Sequence, residues 1–366
     1  MTTVQIPPGR NLDPYFRSLR APGTTFILGA GTYTTQGCFA FSDLDCCGMA
    51  PATSLIGAGR DHTKIQLVNP VLEHRGEKTG YTEALMGGAR EVGASPILHL
   101  EGFTLDLGNP SVPTVGIHLW TSKATVRSVT VKGVFGDREA KSQCREGFGI
   151  LVNSSHEALF DGSHDVDDCK VVMAEHPSEN YSCGIYVGCV RRDVPLLRSR
   201  IRSCSVQGGI GTASHAAYAA NDLVTIESCR ARKVLRAFFC DTAPVRDVEI
   251  TNLVAEDIHW AVDLRVAKEG DVRSKFVVRD SHFYFRVPPS GWAQALLASD
   301  ESGKAPTHIE DLVFESCLFD GTGIAQASKG RTRGARAGAV HALNCVWVGS
   351  WQEPITQENA KEWVLR

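Results

Sequence analysis

A six-residue pattern of apolar and polar positions returns nine times between Leu100 and Trp347. It runs apolar, variable, small or turn-forming, Cys or apolar, variable, apolar. The copies read LEGFTL (from Leu100), VRSVTV (Val126), VDDCKV (Val166), IRSCSV (Ile201), IESCRA (Ile226), ITNLVA (Ile250), VRDSHF (Val278), FESCLF (Phe314) and ALNCVW (Ala342). From one fourth position to the next, the steps are 26, 40, 35, 25, 24, 28, 36 and 28 residues. A fixed period with occasional longer steps means one structural unit copied along an axis, with insertions in some loops. The copies are short, β-branched and bounded by Gly, Asn and Asp, so they predict strands. Stacked strands of this kind make a solenoid, an all-β right-handed parallel β-helix.

Equivalent positions on successive turns lie one strand spacing apart, about 4.8 Å, so each column of the repeat is a ladder. The fourth column holds Phe103, Val129, Cys169, Cys204, Cys229, Leu253, Ser281, Cys317 and Cys345. Small apolar thiols stacked this way predict an interior ladder packed as hydrophobes. The second column, Glu101, Arg127, Asp167, Arg202, Glu227, Thr251, Arg279 and Glu315, alternates in charge as a solvated face would.

A further strand per turn lies between the copies and opens on Gly or Ala: GIHLW (Gly116), GILVN (Gly149), GIYVG (Gly184), AYAAN (Ala217), AFFCD (Ala237), AVDLR (Ala261) and ALLAS (Ala295). Alternation turns His118, Leu151, Tyr186, Ala219, Phe239, Asp263 and Leu297 outward. The next outward column holds Trp120, Asn153, Gly188, Asn221, Asp241, Arg265 and Ser299. Aromatics, carboxylates, Arg, His and amides together have the composition of a ligand-binding face.

The first hundred residues read as a cap and first turns. Asp13-Pro14 opens a short capping helix through Arg20. The segment Gly57-Ala58-Gly59 lacks a following Lys-Ser/Thr and helix, so it predicts a tight turn and no phosphate loop. The continuous repeat argues for one domain over 1–366, with a cap over 1–22, coils over 23–349 and a C-terminal cap or tail over 350–366. Gly321 to Ala337, rich in Gly, Arg and Lys, predicts a mobile loop.

Charge and cysteine usage narrow the partners. A net charge of −3 without a basic stripe argues against nucleic acid. The first residues carry no apolar core of a secretory signal, and no stretch approaches a membrane span. The twelve cysteines form no small disulfide framework, which points to a reducing, cytoplasmic setting.

The "GTY" turn at Gly31, SLIGAGRDHTKIQL from Ser54 and the stacked repeats together resemble the pectin-lyase-like superfamily of right-handed parallel β-helices. The resemblance implies that fold, a carbohydrate-like ligand, and a monomer or a homo-oligomer such as a trimer or dimer. SHDVDDCKV resembles the paired aspartates of polygalacturonases at Asp167 and Asp168, whose later Gly-His-Gly and Arg-Ile-Lys motifs do not occur in usable form. No catalytic set is carried over.

Geometry supplies the candidates. Asp241 and Asp263 fall on adjacent turns, offset by one column, with carboxyl groups roughly 5–7 Å apart, a separation used in glycoside hydrolysis. They are the expected acid/base pair, with Arg265 stabilising developing charge and His118 moving a proton. Trp120, Asn153, Tyr186, Phe239, His259 and Trp260 would position the ligand. Asp165, Asp167 and Asp168 form an alternative acidic site for Ca²⁺. No spacing supports zinc, and no cofactor is implied. The leading function is a lyase or glycoside hydrolase acting on a glycan. The alternatives are an isomerase, dehydratase or cyclase for a small metabolite, and a non-catalytic tailspike-like glycan binder.

Overall fold

A computed structural model describes residues 2–18, 23–37, 53–70, 72–74, 77–78, 80–88, 97–121, 123–137, 139–140, 145–154, 163–175, 180–189, 198–208, 216–220, 223–240, 247–266, 276–286, 293–300, 308–330 and 336–352. The chain divides into two compact units, Met1–Arg200 with Cys204–Ser214, and Ile201–Ser203 with His215–Arg366. Each is a right-handed parallel β-helix, the hand that parallel crossovers take.

Each copy of the repeat proves to be two short strands. They meet at the third position, where the backbone takes a positive φ in all nine copies: Gly102 (72°), Ser128 (50°), Asp168 (50°), Ser203 (53°), Ser228 (53°), Asn252 (54°), Asp280 (48°), Ser316 (54°) and Asn344 (53°). A left-handed residue costs other side chains about 1–2 kcal/mol, whereas Gly, Asn and Asp tolerate it. The corner is held from rung to rung. Ser128 N donates to Asp167 O at 3.0 Å, Asp280 N to Glu315 O at 3.0 Å and Ser316 N to Leu343 O at 2.8 Å. Side chains add Ser128 Oγ to Asp168 Oδ2 (2.8 Å) and Asn252 Nδ2 to Ser228 Oγ (3.2 Å). The small third column is therefore a corner, and the expected single strand per copy is corrected accordingly.

In the first unit, the strands before the corner run Thr2–Ile6, Thr24–Leu28, Ser54–Gly57, Ile97–Glu101, Lys123–Arg127 and His164–Asp167, all parallel. In the second unit they run Val224–Glu227, Val248–Thr251, Phe276–Arg279, His308–Glu315 and Arg336–Leu343. The charge ladder pairs on this face, with Arg127–Asp167 at 3.7 Å in one unit and Arg279–Glu315 at 2.8 Å in the other. Immediately after the corner, the fourth column turns inward. Cys169, Cys204, Cys229 and Cys317 are buried and Cys345 is half-buried. Each thiol donates to backbone carbonyls, as Cys169 does to Val126 O (3.4 Å) and Asp167 O (3.3 Å).

The capping helix spans Asp13–Ser18, and Arg20 lies outside the described residues. Phe16 packs edge-on against Phe26 at 5.3 Å. The buried Asp13 carboxylate accepts the Thr35 hydroxyl (2.6 Å) and Gln36 N–H (2.9 Å), tying the helix to the first rungs. Gly57 to Gly59 is the expected turn. His62 and Thr63 N–H donate to Gly59 O at 3.0 and 2.8 Å, and a Cβ on Gly57 would sit 2.2 Å from Gly102 O.

The mobile loop expected from Gly321 is corrected. Leu318–Gly330 is one strand, paired to Val346–Gln352 on one edge and, over its second half, to Ala293–Asp300 on the other. Parallel pairing satisfies backbone groups whatever the side chains, so a Gly-rich composition does not preclude a strand. Residues 331–335 lie outside the described residues, as do 353–366 of the expected C-terminal cap.

Candidate functional site

The strand that opens on Gly or Ala carries the candidate columns, and its small first residue has a steric cause. In the first unit a Cβ on Gly116 would sit 2.7 Å from Gly149 O, and one on Gly149 would sit 2.5 Å from Gly184 O and from a Val171 methyl. In the second unit Ala217, Ala237 and Ala261 fill this place, fully buried. The register reproduces the expected columns: His118 opposite Leu151 opposite Tyr186, and Trp120 opposite Asn153 opposite Gly188. In the second unit Ala219 lies opposite Phe239, Phe239 opposite Asp263, and Asp263 opposite Leu297.

The depth of these columns differs from expectation. His118 and Asp263 are both 0% exposed, with Leu151 and Phe239 buried as well. Alternation separates two faces of a strand but does not say what lies over the outer one. Tyr186, Trp120, Asn153, His259 and Trp260 are half-buried.

In the first unit, His118 Nδ1 lies 3.2 Å from both carboxylate oxygens of Glu83, itself 1% exposed. A carboxylate only accepts, so Nδ1–H donates, which fixes the tautomer and makes Nε2 the basic nitrogen. The Trp120 ring stacks beside the imidazole at 6.0 Å, with 25° between planes. Two rungs on, Tyr186 meets Phe148 edge-on at 6.1 Å.

In the second unit, Asp263 accepts a short, charge-assisted bond from Arg236 Nε, and Arg236 is itself buried. The guanidinium lies 4.4 Å from the Trp260 ring centroid and 5.1 Å from that of Phe239. The backbone N–H of Trp260 donates to Leu235 O at 2.9 Å. Burial, with the Arg286 charge second, lowers the neighbouring His259 below its ordinary range. Asp241 lies outside the described residues. Arg265 falls on the strand Trp260–Val266 opposite Ser299, but its side chain also lies outside them. The expected Asp241–Asp263 pairing thus rests on a residue beyond the description, whereas Asp263 itself is engaged by Arg236.

One offset generates three of these contacts, those of His118, Tyr186 and Asp263 with the preceding rung. Each column residue meets a residue of the preceding rung whose strand partner lies three positions before it. Glu83 lies opposite Val115 and reaches His118; Phe148 lies opposite Cys183 and reaches Tyr186; Arg236 lies opposite Trp260 and reaches Asp263. Glu83 and Arg236 are the functional candidates that sequence reasoning missed. Their signal is a place three positions back on the preceding rung, an offset that the stacking of the strands reveals and the sequence pattern does not.

The alternative acidic site is dispersed by arginines. Asp165 accepts from Arg200 at 2.8 Å, Asp167 faces Arg127 at 3.7 Å, and Asp168 faces Arg60 at 3.1 Å while accepting Ser128 Oγ. Among the described residues, no group of three His, Cys, Asp or Glu is placed to hold a metal ion. The insertions after Val134 and Met173 are anchored by the buried Asn180, whose Oδ1 accepts Gly136 N–H (2.9 Å) and Ser182 Oγ–H (2.8 Å). Its Nδ2 donates to Val134 O and Ala174 O.

No protein-family model and no curated protein matches the chain. Among solved structures it is similar to the A-module of mannuronan C-5 epimerase AlgE6 of Azotobacter vinelandii, at 10% identity and TM-score 0.46, over 89% of this chain and 91% of that one. It is similar to alginate lyase AlyF-OU02 at 8% identity and TM-score 0.41, over 95% and 83%. A third is the catalytic domain of a GH87 α-1,3-glucanase, at 9% identity and TM-score 0.39, over 95% and 68%. At such identities the likeness concerns fold alone.

Proposed function

We propose that this protein is a carbohydrate-active enzyme of the lyase or glycoside-hydrolase type, with its proton-transfer centre in the first unit. The observation that carries this reading is the Glu83–His118 dyad set beside the Trp120 ring. A base needs an orienting partner to keep one nitrogen basic, and Glu83 does that for His118. An indole ring beside it suits the apolar face of a sugar, and Asn153 and Tyr186 on the following rungs extend the row. In the second unit Asp263 has its charge committed to Arg236, so we assign it an electrostatic, positioning role. Arg265, on the same strand as Asp263, and Asp241, which the sequence places one turn earlier, remain part of the proposal.

A second reading is favoured by one observation: the dyad is fully covered. A covered base suits a small metabolite, and an isomerase, dehydratase or cyclase would use the same His118. The buried thiol ladder fits a cytoplasmic setting, which we include in the proposal.

The test is turnover by the full chain on acidic and neutral glycans, read both as unsaturated product and as new reducing ends. His118→Gln should lower turnover by about 10²-fold or more, the usual contribution of acid–base catalysis, with the far-UV spectrum unchanged. Full turnover in a folded His118→Gln protein would remove the dyad from the chemistry. Loss on Asp263→Asn alone would move the chemistry to the second unit. Turnover confined to small acids or alcohols would select the metabolite reading.

A further inference from the structure

The thiol ladder is uniform in sequence but not in setting. Cys169, Cys204, Cys229 and Cys317 are each 1% exposed, whereas Cys345 is half-buried. Within the second unit, Cys317 and Cys345 occupy the same corner of successive rungs. The rungs are locked on either side, by Ser316 N to Leu343 O and by Val346 N to Cys317 O, both 2.8 Å. Their Cα atoms are therefore one strand spacing apart, about 4.8 Å, within the range of roughly 4.4–6.8 Å that a disulfide spans.

We propose that Cys345 is a peroxide-reactive thiol and that Cys317, one rung inward, is its resolving partner. The Cys345 thiolate attacks the peroxide O–O bond. A sulfur–oxygen bond forms, hydroxide leaves, and the sulfur is oxidised by two electrons as the peroxide is reduced. Cys317, as thiolate, then attacks the sulfenic sulfur. The S–S bond forms as hydroxide leaves and takes up the proton given off by Cys317, so the net product is water. A small dithiol would reverse the step by exchange.

The electrostatics support this order. The adjoining Cys317 side chain lowers the ionisation of Cys345 below the ordinary thiol range, while Cys317 itself is pushed well up by Cys345 and by burial. The solvent-reachable thiol is thus the one that ionises first, the condition for selective oxidation. Carbonyl contacts do not distinguish the ladder thiols, since Cys345 Sγ reaches Phe314 O at 3.5 Å much as Cys229 Sγ reaches Glu227 O at 3.3 Å. The difference is exposure, Cys169, Cys204 and Cys229 being each 1% exposed.

The test needs no variant at first. Native full-length protein is alkylated with iodoacetamide for graded times and mapped by mass. Cys345 should label about 10-fold faster than Cys317 or Cys229, as exposure and thiolate character dictate. Equal rates at the three sites would overturn the assignment of Cys345 as the reactive thiol. Hydrogen peroxide with dimedone then reads the second step. The wild type should yield a Cys317–Cys345 disulfide, and Cys317→Ser a dimedone adduct on Cys345. A dimedone adduct on Cys345 in the wild type, without the disulfide, would overturn the role of Cys317. Absence of both products would overturn the whole proposal.

Discussion

The two units place an acid–base pair at the same point of their rungs, with the charges exchanged. In the first unit the column residue is the base, His118, and the preceding rung supplies the acid, Glu83. In the second the column residue is the acid, Asp263, and the preceding rung supplies the base, Arg236. Both pairs are buried beside an indole, Trp120 or Trp260. The scaffold therefore fixes where a pair can form, and the residue types decide what the pair can do. Imidazole can change protonation near neutrality, whereas guanidinium stays charged. The first arrangement suits proton transfer and the second a permanent field.

That contrast is sharpest in stability. Asp263→Ala leaves the Arg236 guanidinium buried without its carboxylate, and should cost about 3–5 kcal/mol. Glu83→Gln should cost about 1–2 kcal/mol, because the amide oxygen can still accept the Nδ1–H of His118. Urea unfolding of both variants measures the difference. Equal costs would mean that the buried guanidinium depends on its carboxylate no more than the imidazole depends on its own.

Acid should strike the first unit before the second. His164 is buried, and its Nδ1 accepts Ala124 N–H at 3.2 Å. Burial lowers its pKa to about 4, against a smaller opposing effect of Asp165. The unfolded chain therefore binds this proton more readily. Its contribution is fully present above about pH 6.5 and is lost as pH falls toward 4, amounting to roughly 3 kcal/mol by linkage. Hydrogen exchange at pH 7 and pH 4.5 should show protection falling first around His164–Asp167. A uniform loss across both units would contradict this.

The small residue opening each candidate strand offers a milder contrast. Gly149→Ala would press a Cβ to 2.5 Å from Gly184 O, at a cost of about 1–3 kcal/mol. Ala237→Gly, at the equivalent point of the second unit, should cost about 0.5–1 kcal/mol through backbone freedom. Thermal midpoints of the two variants provide the comparison.

The ladders were legible in the sequence because stacked rungs force equal residues to equal positions. Column membership could thus be written out from spacing alone, down to His118–Leu151–Tyr186 and Phe239–Asp263–Leu297. The corner inside each copy was not. Ser128, Asp168 and Asn252 look polar on paper, and only their backbone reveals the left-handed turn. Nor were the partners of His118 and Asp263 visible, since Glu83 and Arg236 come from 35 and 27 residues upstream and obey an offset that belongs to three-dimensional stacking. Alternation predicted an open face, but whether other chain covers that face is not written in a period-two pattern.

The left-handed corner at every third position also governs how such a chain can change its length. A corner must be followed by the inward residue and then by the next rung's hydrogen bonds, so one residue added there would turn the buried column to the outside. A whole turn carries its own corner and can leave without disturbing the phase of what remains. Excising the 28 residues 254–281 would join Leu253 to His282 in step, whereas excising half of them would not. Gene-level duplication and loss of entire turns is then the natural currency of variation for this molecule, with the insertions between turns as the place where novelty is cheap.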